Sequence, residues 1–361
     1  MTPDSHRTLV FPAGMPEALA FRERAEAGGS AVVGASSIEN DPARRAYADW
    51  ERLPFVTEPG FDAALAELIR RHRIRSVYTP HFVVHRHLSE RLEGIAPGTA
   101  LAACRSPDDE DRAYRALRER VAALPLISPP GQARPALTPL ERTGLVRLTG
   151  TIPGMCGEEK MVALMEVMRR APEGDIVEIG SWWGRSAALL VLLARRYGIG
   201  PVLCVDPWEG AAMHQGNALL DSTSIRLDTE EALRIFEINL SPLAGGHLNY
   251  LRARSAQAAR HYAPGLEVRT AAFGSTRYAG TIAVLHIDGN HAREEVESDV
   301  ALWTPHVRPG GWIIFDDYEW AFGDGPQRAA DGFVAREAGH IAATFRAGPA
   351  LLVQMRSDGD E

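Results

Sequence analysis

The stretch from Ile282 to Tyr318, IAVLHIDGNHAREEVESDVALWTPHVRPGGWIIFDDY, restricts the fold more than any other part of the chain. Two apolar runs, Ile282 to Ile287 and Trp312 to Phe315, flank a polar segment that reads as a helix from about Ala292 to Trp303. Arg308-Pro-Gly-Gly turns the chain before the second run. Strand, helix, strand is one βαβ unit, and its right-handed crossover makes the strands parallel. Neighbouring strands lie roughly 4.8 Å apart. If the two strands are neighbours, Asp288, directly after the first, meets Asp316, which with Asp317 directly follows the second, at one carboxyl edge. Ligands bind at that edge in open α/β sheets. Carboxylates gathered there repel one another unless a hard divalent cation sits among them, and Mg²⁺ commonly takes few protein carboxylates plus water and substrate oxygens. His291, three residues after Asp288, stands beside that place.

With 361 residues, 45% of them hydrophobic, the chain is long enough for two cores. Proline concentrates between residues 124 and 140, which reads as a linker between an N-terminal domain, 1–123, and a C-terminal domain, 141–361. In the first, strands are expected at 8–12, 30–36 and 75–80, separated by helices at Met15 to Ala27, Pro42 to Arg52 and Phe61 to His72. This alternation suggests a small parallel α/β unit. Its first turn, Pro12-Ala-Gly-Met-Pro-Glu, has too little glycine to cradle a diphosphate, so no nucleotide is assigned to it. An auxiliary role, in assembly or acceptor binding, is expected, and with it a homo-oligomer.

A net charge of -8 argues against nucleic acid or an anionic membrane as main partner. The three cysteines, Cys104, Cys156 and Cys204, have no metal-ligand spacing and suit a reducing compartment as ordinary buried thiols. The N-terminus lacks a basic region followed by a long apolar run, and no window reaches the roughly 18 apolar residues of a membrane span. The expectation is a soluble, cytoplasmic protein.

In the C-terminal domain an amphipathic helix is expected from Gly157 to Arg170. Asp175-Ile-Val-Glu-Ile-Gly-Ser-Trp-Trp-Gly-Arg-Ser then supplies strand, glycine turn and helix start. Gly180 permits a tight turn and Gly184 close packing, while Ser186 and the free N–H groups of the helix start can hold a carboxylate. The helix Arg185 to Tyr197 leads to a strand, Val202 to Val205, ending in Asp206, which is placed to accept hydrogen bonds from ribose hydroxyls. Either a dinucleotide or an adenosyl-amino-acid cofactor fits this pattern. The missing third glycine of the dinucleotide fingerprint tips the choice away from NAD.

Taken together, VEIGSWWGRSA, CVDPWEG, RARSAQ, HIDGNH and RPGGWIIFDDY resemble class I S-adenosylmethionine-dependent methyltransferases over roughly residues 150 to 355. Within that superfamily the D…DD set resembles the metal-dependent O-methyltransferases, and more closely those acting on macrolide sugars than the catechol enzymes. Catechol-type enzymes carry lysine three residues after the first metal aspartate and commonly end the site Asp-Asn. This chain has His291 and ends Asp316-Asp317, with an N-terminal auxiliary domain as in one sugar O-methyltransferase subgroup. The resemblance implies a Rossmann-like, seven-stranded, mostly parallel sheet with final strands near Ala342 to Phe345 and Leu351 to Met355. It implies that Glu178, Gly180, Ser181 and Ser186 surround the methionine part of S-adenosylmethionine, that Asp206 binds its ribose, and that Ser255 lies near adenine. It further implies that Asp288, Asp316 and Asp317 hold Mg²⁺, with Asp288 and His291 catalytic and His291 deprotonating the hydroxyl of a small-molecule acceptor.

Blander readings stand beside these. Asp317 could cap the following segment, His291 could be a solvated helix-start residue, and His286 reads as a satisfied core histidine. Trp182 and Trp183, and likewise Tyr318, Trp320 and Phe322, could be packing or pocket wall, while Glu294, Glu295 and Glu297 read as an exposed helix face. A catechol or phenol acceptor, an antibiotic-hydroxylase-like metal enzyme of the same fold and a noncatalytic binding module are the competing functions.

Overall fold

A computed structural model describes residues 7–102, 107–215, 218–224 and 228–358. The chain divides into two compact units, with the boundary between residues 116 and 117. In the first, β1 (Arg7–Val10), β2 (Ala31–Ser36), β3 (Asp49–Arg52), β4 (Ile74–Tyr78) and β5 (Ala100–Ala102) form one parallel sheet in the order β3-β2-β1-β4-β5. Helices Pro16–Ala27 and Phe61–His72 form where the sequence pattern places them, and a further helix, Phe82–Ile95, precedes β5. The helix expected from Pro42 to Arg52 does not form. A 3-10 turn, Pro42–Ala46, is capped by the Asp41 carboxylate and gives way to β3, which pairs with β2. A Cβ on Gly34 would strike the rings of Tyr47 and Trp50, so those rings fill the notch that this glycine leaves in β2. Tertiary packing here overrides the helical propensity of an Ala- and Arg-rich segment.

The second unit is built on β6 (Asp175–Ile179), β7 (Val202–Val205), β8 (Leu248–Leu251), β9 (Glu267–Thr270), β10 (Gly274–Arg277), β11 (Ile282–Ile287), β12 (Val307–Phe315), β13 (Ile341–Ala347) and β14 (Ala350–Met355). Among the described residues seven of these form a sheet in the order β13-β14-β12-β11-β6-β7-β8, while β9 and β10 make a separate antiparallel pair. β11 lies parallel between β6 and β12, as the crossover requires, while β14 runs antiparallel to its neighbours β12 and β13. Along the strands, neighbours alternate between two cores: Ile176, Cys204, Val284 and Ile314 face one, and Val177, Val205, Leu285 and Phe315 the other. A sheet covered on both faces explains why these strands read as continuous apolar runs.

Three details depart from the expected pattern. Arg308-Pro-Gly-Gly is not a separate turn but the start of β12, where the pairing with β11 shifts register. The helix Glu158–Met168 is not amphipathic: every residue from Lys160 to Met168 is buried. The proline-rich stretch is pinned to the second unit, with Arg134 N–H donating to the Arg169 carbonyl, Arg169 Nε to the Arg134 carbonyl, and Leu137 buried in the core. Cys156 and Cys204 are free and buried, burial pushing the Cys156 thiol up to about 12; Cys104 lies outside the described residues. Among the described residues no helix is long and apolar enough to cross a membrane.

Candidate active site

The site is assembled at the carboxyl ends of β7, β6, β11 and β12. Pairing of Ile287 with both Ile179 and Phe315 brings the residues after these strands together. Asp288 N–H donates to the Ile179 carbonyl at 2.8 Å and Asp316 N–H to the Ile287 carbonyl at 2.9 Å, so the strand ladder itself delivers both acids. Gly180, at φ 79°, lies so close to the β11 loop that an added Cβ would collide with the Asp288 carbonyl. The glycine turn and the acidic centre are therefore in backbone contact.

On the cofactor side, Asp206 organises the loops. Its Oδ2 accepts the N–H groups of Ser181 (3.0 Å) and Trp182 (2.9 Å), and its Oδ1 that of Trp208 (2.8 Å). Burial pushes its carboxyl up, opposed by those N–H donors. Three of about four acceptor positions on a carboxylate are thus filled, which leaves room for one more donor. Glu178, fully buried on β6, accepts from Ser181 Oγ at 2.6 Å and pairs with His286 Nδ1 at 3.1 Å. Gly184, at φ 88°, caps the helix Arg185–Tyr197, whose first turn carries buried Ser186.

Ser255 is engaged elsewhere. Its hydroxyl accepts the Trp303 indole N–H at 2.8 Å and bonds to buried Asp299, tying its helix to Arg293–Trp303. Burial pushes Asp299 up to about 7, against the hydroxyl bond, which favours its ionised form. The folded protein then keeps a proton that the unfolded chain has released, so stability falls as the pH rises from about 4 to about 7. Asp299→Asn is expected to flatten that slope, a difference on the order of 4 kcal/mol once the acid is ionised. Melting temperature against pH for both proteins reads it, and parallel curves would remove Asp299 as the titrating group.

The acids at the far side divide into two sets. Among the described residues, the ligating atoms of His286, Asp288 and Asp316 lie within 4.8 Å of one another, and so do those of Asp288, His291 and Asp317. Asp288 belongs to both. Asp317 sits in the left-handed region at φ 49° and shares no ligand group with Asp316. Asp317 Oδ2 bonds His291 Nε2 at 2.8 Å, Gln215 Oε1 lies 2.8 Å from His291 Nδ1, and Trp320 stacks on the imidazole with ring centroids 4.5 Å apart. Asn290 donates to the carbonyls of Ala212 and His214, closing the loop after β7 over the same corner. Glu294, Glu295 and Glu297 are exposed, as expected.

Asp316 is buried and bonded to the ammonium of Lys160, which is itself buried and lies 3.7 Å from Asp288. Burial and the neighbouring Asp316 push Asp288 well up, although Lys160 opposes the shift. Burial also works against ionisation of Asp316, but Lys160 overcomes it and holds that carboxyl below its ordinary value. Asp316 Oδ1 is left without a hydrogen-bond partner. His286 is not a satisfied core histidine: its Nε2 is buried and unpartnered, 3.9 Å from both Asp288 and Asp316. An orphaned carboxylate oxygen beside converging acids is a donor set that fits a hard divalent cation. The sequence reading missed Lys160 and Gln215. A lysine opening the run Met161-Val-Ala-Leu-Met was the available signal for the first, and nothing local marks the second.

Residues 177–318 match the family model described as a methyltransferase domain. Solved structures similar to this chain include the O-methyltransferase NovP (20% identity, 68% of this chain and 97% of that one, TM-score 0.40). Another is CalS11, a TDP-rhamnose 3'-O-methyltransferase of calicheamicin biosynthesis (14%, 72% and 97%, TM-score 0.38). A third is the mycinamycin-pathway methyltransferase MycE in complex with Mg, SAH and mycinamycin VI (15%, 60% and 56%, TM-score 0.36). A search of curated proteins finds no match. The matched residues run from within β6, through the glycine turn and Asp206, to the acids after β12, so the part of the second unit that holds this site is similar to a methyltransferase domain.

Proposed function

We propose that this protein transfers the methyl group of S-adenosylmethionine to a hydroxyl of a small polyhydroxy molecule, the sugar of a glycosylated natural product, with Mg²⁺ held among Asp288, Asp316 and Asp317. The observation that carries this reading is the backbone contact between Gly180 and Asp288, which sets a cofactor turn against an acidic centre flanked by a clamped histidine. On the donor side, the glycine turn and Ser186 take the methionine portion, and the open acceptor position of Asp206 takes a ribose hydroxyl. Ser255 serves adenine through its place after β8, since its hydroxyl is engaged.

A bound divalent cation would supply Lewis acidity to an acceptor hydroxyl that is otherwise a poor nucleophile. The chain's own residues do the rest. Asp317 fixes the His291 ring through Nε2, and Trp320 stacks on its face. Nδ1 is then the nitrogen that takes the acceptor's proton, once the hydroxyl displaces the neutral Gln215 side chain. The sulfonium methyl needs only to be held in line with the hydroxyl oxygen, and such positioning can supply on the order of 7–11 kcal/mol. A phenol or catechol acceptor is disfavoured only by His291 standing where catechol-type enzymes carry lysine.

Calorimetric titration of S-adenosylmethionine and S-adenosylhomocysteine into the intact protein, with Mg²⁺ or with EDTA, tests the donor site. Saturable binding, weakened at least tenfold by Asp206→Asn, is expected, followed by methylation of glycosides rather than catechols in a screen with Mg²⁺. Absence of binding in both buffers would overturn the donor assignment.

A further inference from the structure

The cluster just described contains a group that the proposed reaction does not use. Lys160 enters from a helix packed on all sides, and its side chain is 1% exposed. Its ammonium contacts Asp316 and stands 3.7 Å from Asp288. His286 Nε2 faces the same two carboxylates from the strand side, 3.9 Å from each. The inner side of the centre is therefore lined by two nitrogen groups, one of them a fixed positive charge. The outer side is different. There Asp288 and Asp317 are each about a quarter exposed, and His291 stands beside them.

We infer that Lys160 is a resident counter-cation of the acidic centre: it holds Asp316 as a permanent ion-pair partner and confines a divalent cation to Asp288 and Asp317 on the outer side. This rests on the proposed cation site and narrows it: of the three acids given there, Asp288 and Asp317 hold the ion, while Asp316, whose Oδ1 has no hydrogen-bond partner, stays with the ammonium. An ammonium so close to Asp316 repels a second cation from that carboxylate, and a buried lysine cannot swing into water without leaving the acid unpaired. Two carboxylates with water and substrate oxygens completing the shell suit Mg²⁺. Among the described residues, Asp316 and Asp317 fall in different ligand groups, joined only through Asp288.

Titration of Mn²⁺ into intact, metal-stripped protein, followed by calorimetry and by the electron paramagnetic resonance of free Mn²⁺, separates this from a site in which all three acids bind the ion. The double variant Lys160→Met/Asp316→Asn removes one charge of each sign and is expected to bind Mn²⁺ within about threefold of the unaltered protein. Asp317→Asn should lose at least tenfold. Lys160→Met alone frees Asp316 and should bind at least tenfold more tightly; if it does not fold, the charge-balanced double variant still decides. A double variant as weak as Asp317→Asn, a Lys160→Met protein that folds but binds no tighter, or no Mn²⁺ binding by the unaltered protein would each overturn the inference. Neither donor nor acceptor is present in this titration. A failed ranking therefore leaves the methyl-transfer reading to be judged on S-adenosylmethionine binding alone.

Discussion

His291→Ala is expected to lower methyl transfer by about 10²–10⁴-fold, the usual contribution of a positioned general base, while S-adenosylmethionine binds as before. The separation follows from where the imidazole stands. It contacts Asp317, Gln215 and Trp320, and no hydrogen bond links it to the Gly180 turn, Asp206 or Glu178. On the proposed mechanism, losing it deprives the acceptor's proton of its destination without disturbing the donor's cradle. His291→Gln would keep much of the ring's volume and one hydrogen bond but not the base, and should be as impaired. Single-turnover methylation from pre-bound donor reads the chemical step, and calorimetry reads the donor. Unchanged turnover in His291→Ala would remove this residue from the mechanism, and a parallel loss of donor affinity would make it structural instead.

Gly180→Ala should be among the most damaging single methyl groups in the second unit. The residue sits at φ 79°, where an L side chain costs roughly 1–2 kcal/mol, and the added carbon collides with backbone, the carbonyl of Asp288, rather than with a side chain able to move. To accept it, the ends of β6 and β11 must part, which strains the bonds from Asp288 N–H to the Ile179 carbonyl and from Gly180 N–H to the Val205 carbonyl. A loss of about 3 kcal/mol, or roughly 6–12 °C in Tm for a unit of this size, is expected together with loss of donor binding. Gly184→Ala provides the contrast: its φ is 88°, but the added carbon meets the side chains of Leu240 and Phe236 at 3.0–3.1 Å, which can yield by a few tenths of an ångström. A Gly180→Ala protein that melts with the unaltered one and binds donor normally would show that the two loops do not depend on their contact.

The elements legible in the sequence are those whose pattern is local. Buried strands announce themselves as apolar runs, and the carboxylates after β7, β11 and β12 are visible because each directly follows such a run. What escaped depends on contacts between distant residues. The segment from Pro42 to Arg52 has the composition of a helix, yet the gap above Gly34 draws Tyr47 and Trp50 onto the sheet and makes an edge strand of its second half. Lys160 looks like one solvated charge on an amphipathic helix until the helix proves to be covered on every side. His286 alternates inward as a core residue should, but only the positions of Asp288 and Asp316 reveal that its second nitrogen faces acids. That Asp316 meets Lys160 while Asp317 meets His291 is decided by residues distant in the chain, which no local pattern encodes.

The strap formed by the proline-rich stretch bears on how this protein can be shortened. Val121 and Leu137 are part of the core of the second unit, Leu124 and Ile127 pack against it, and Gln354 Nε2 donates to the Pro130 carbonyl. Cutting the chain at the start of the helix Pro139–Gly150, where composition invites a boundary, would strip these side chains away and leave an apolar furrow open to water. A catalytic fragment that stays monodisperse should begin ahead of Leu117.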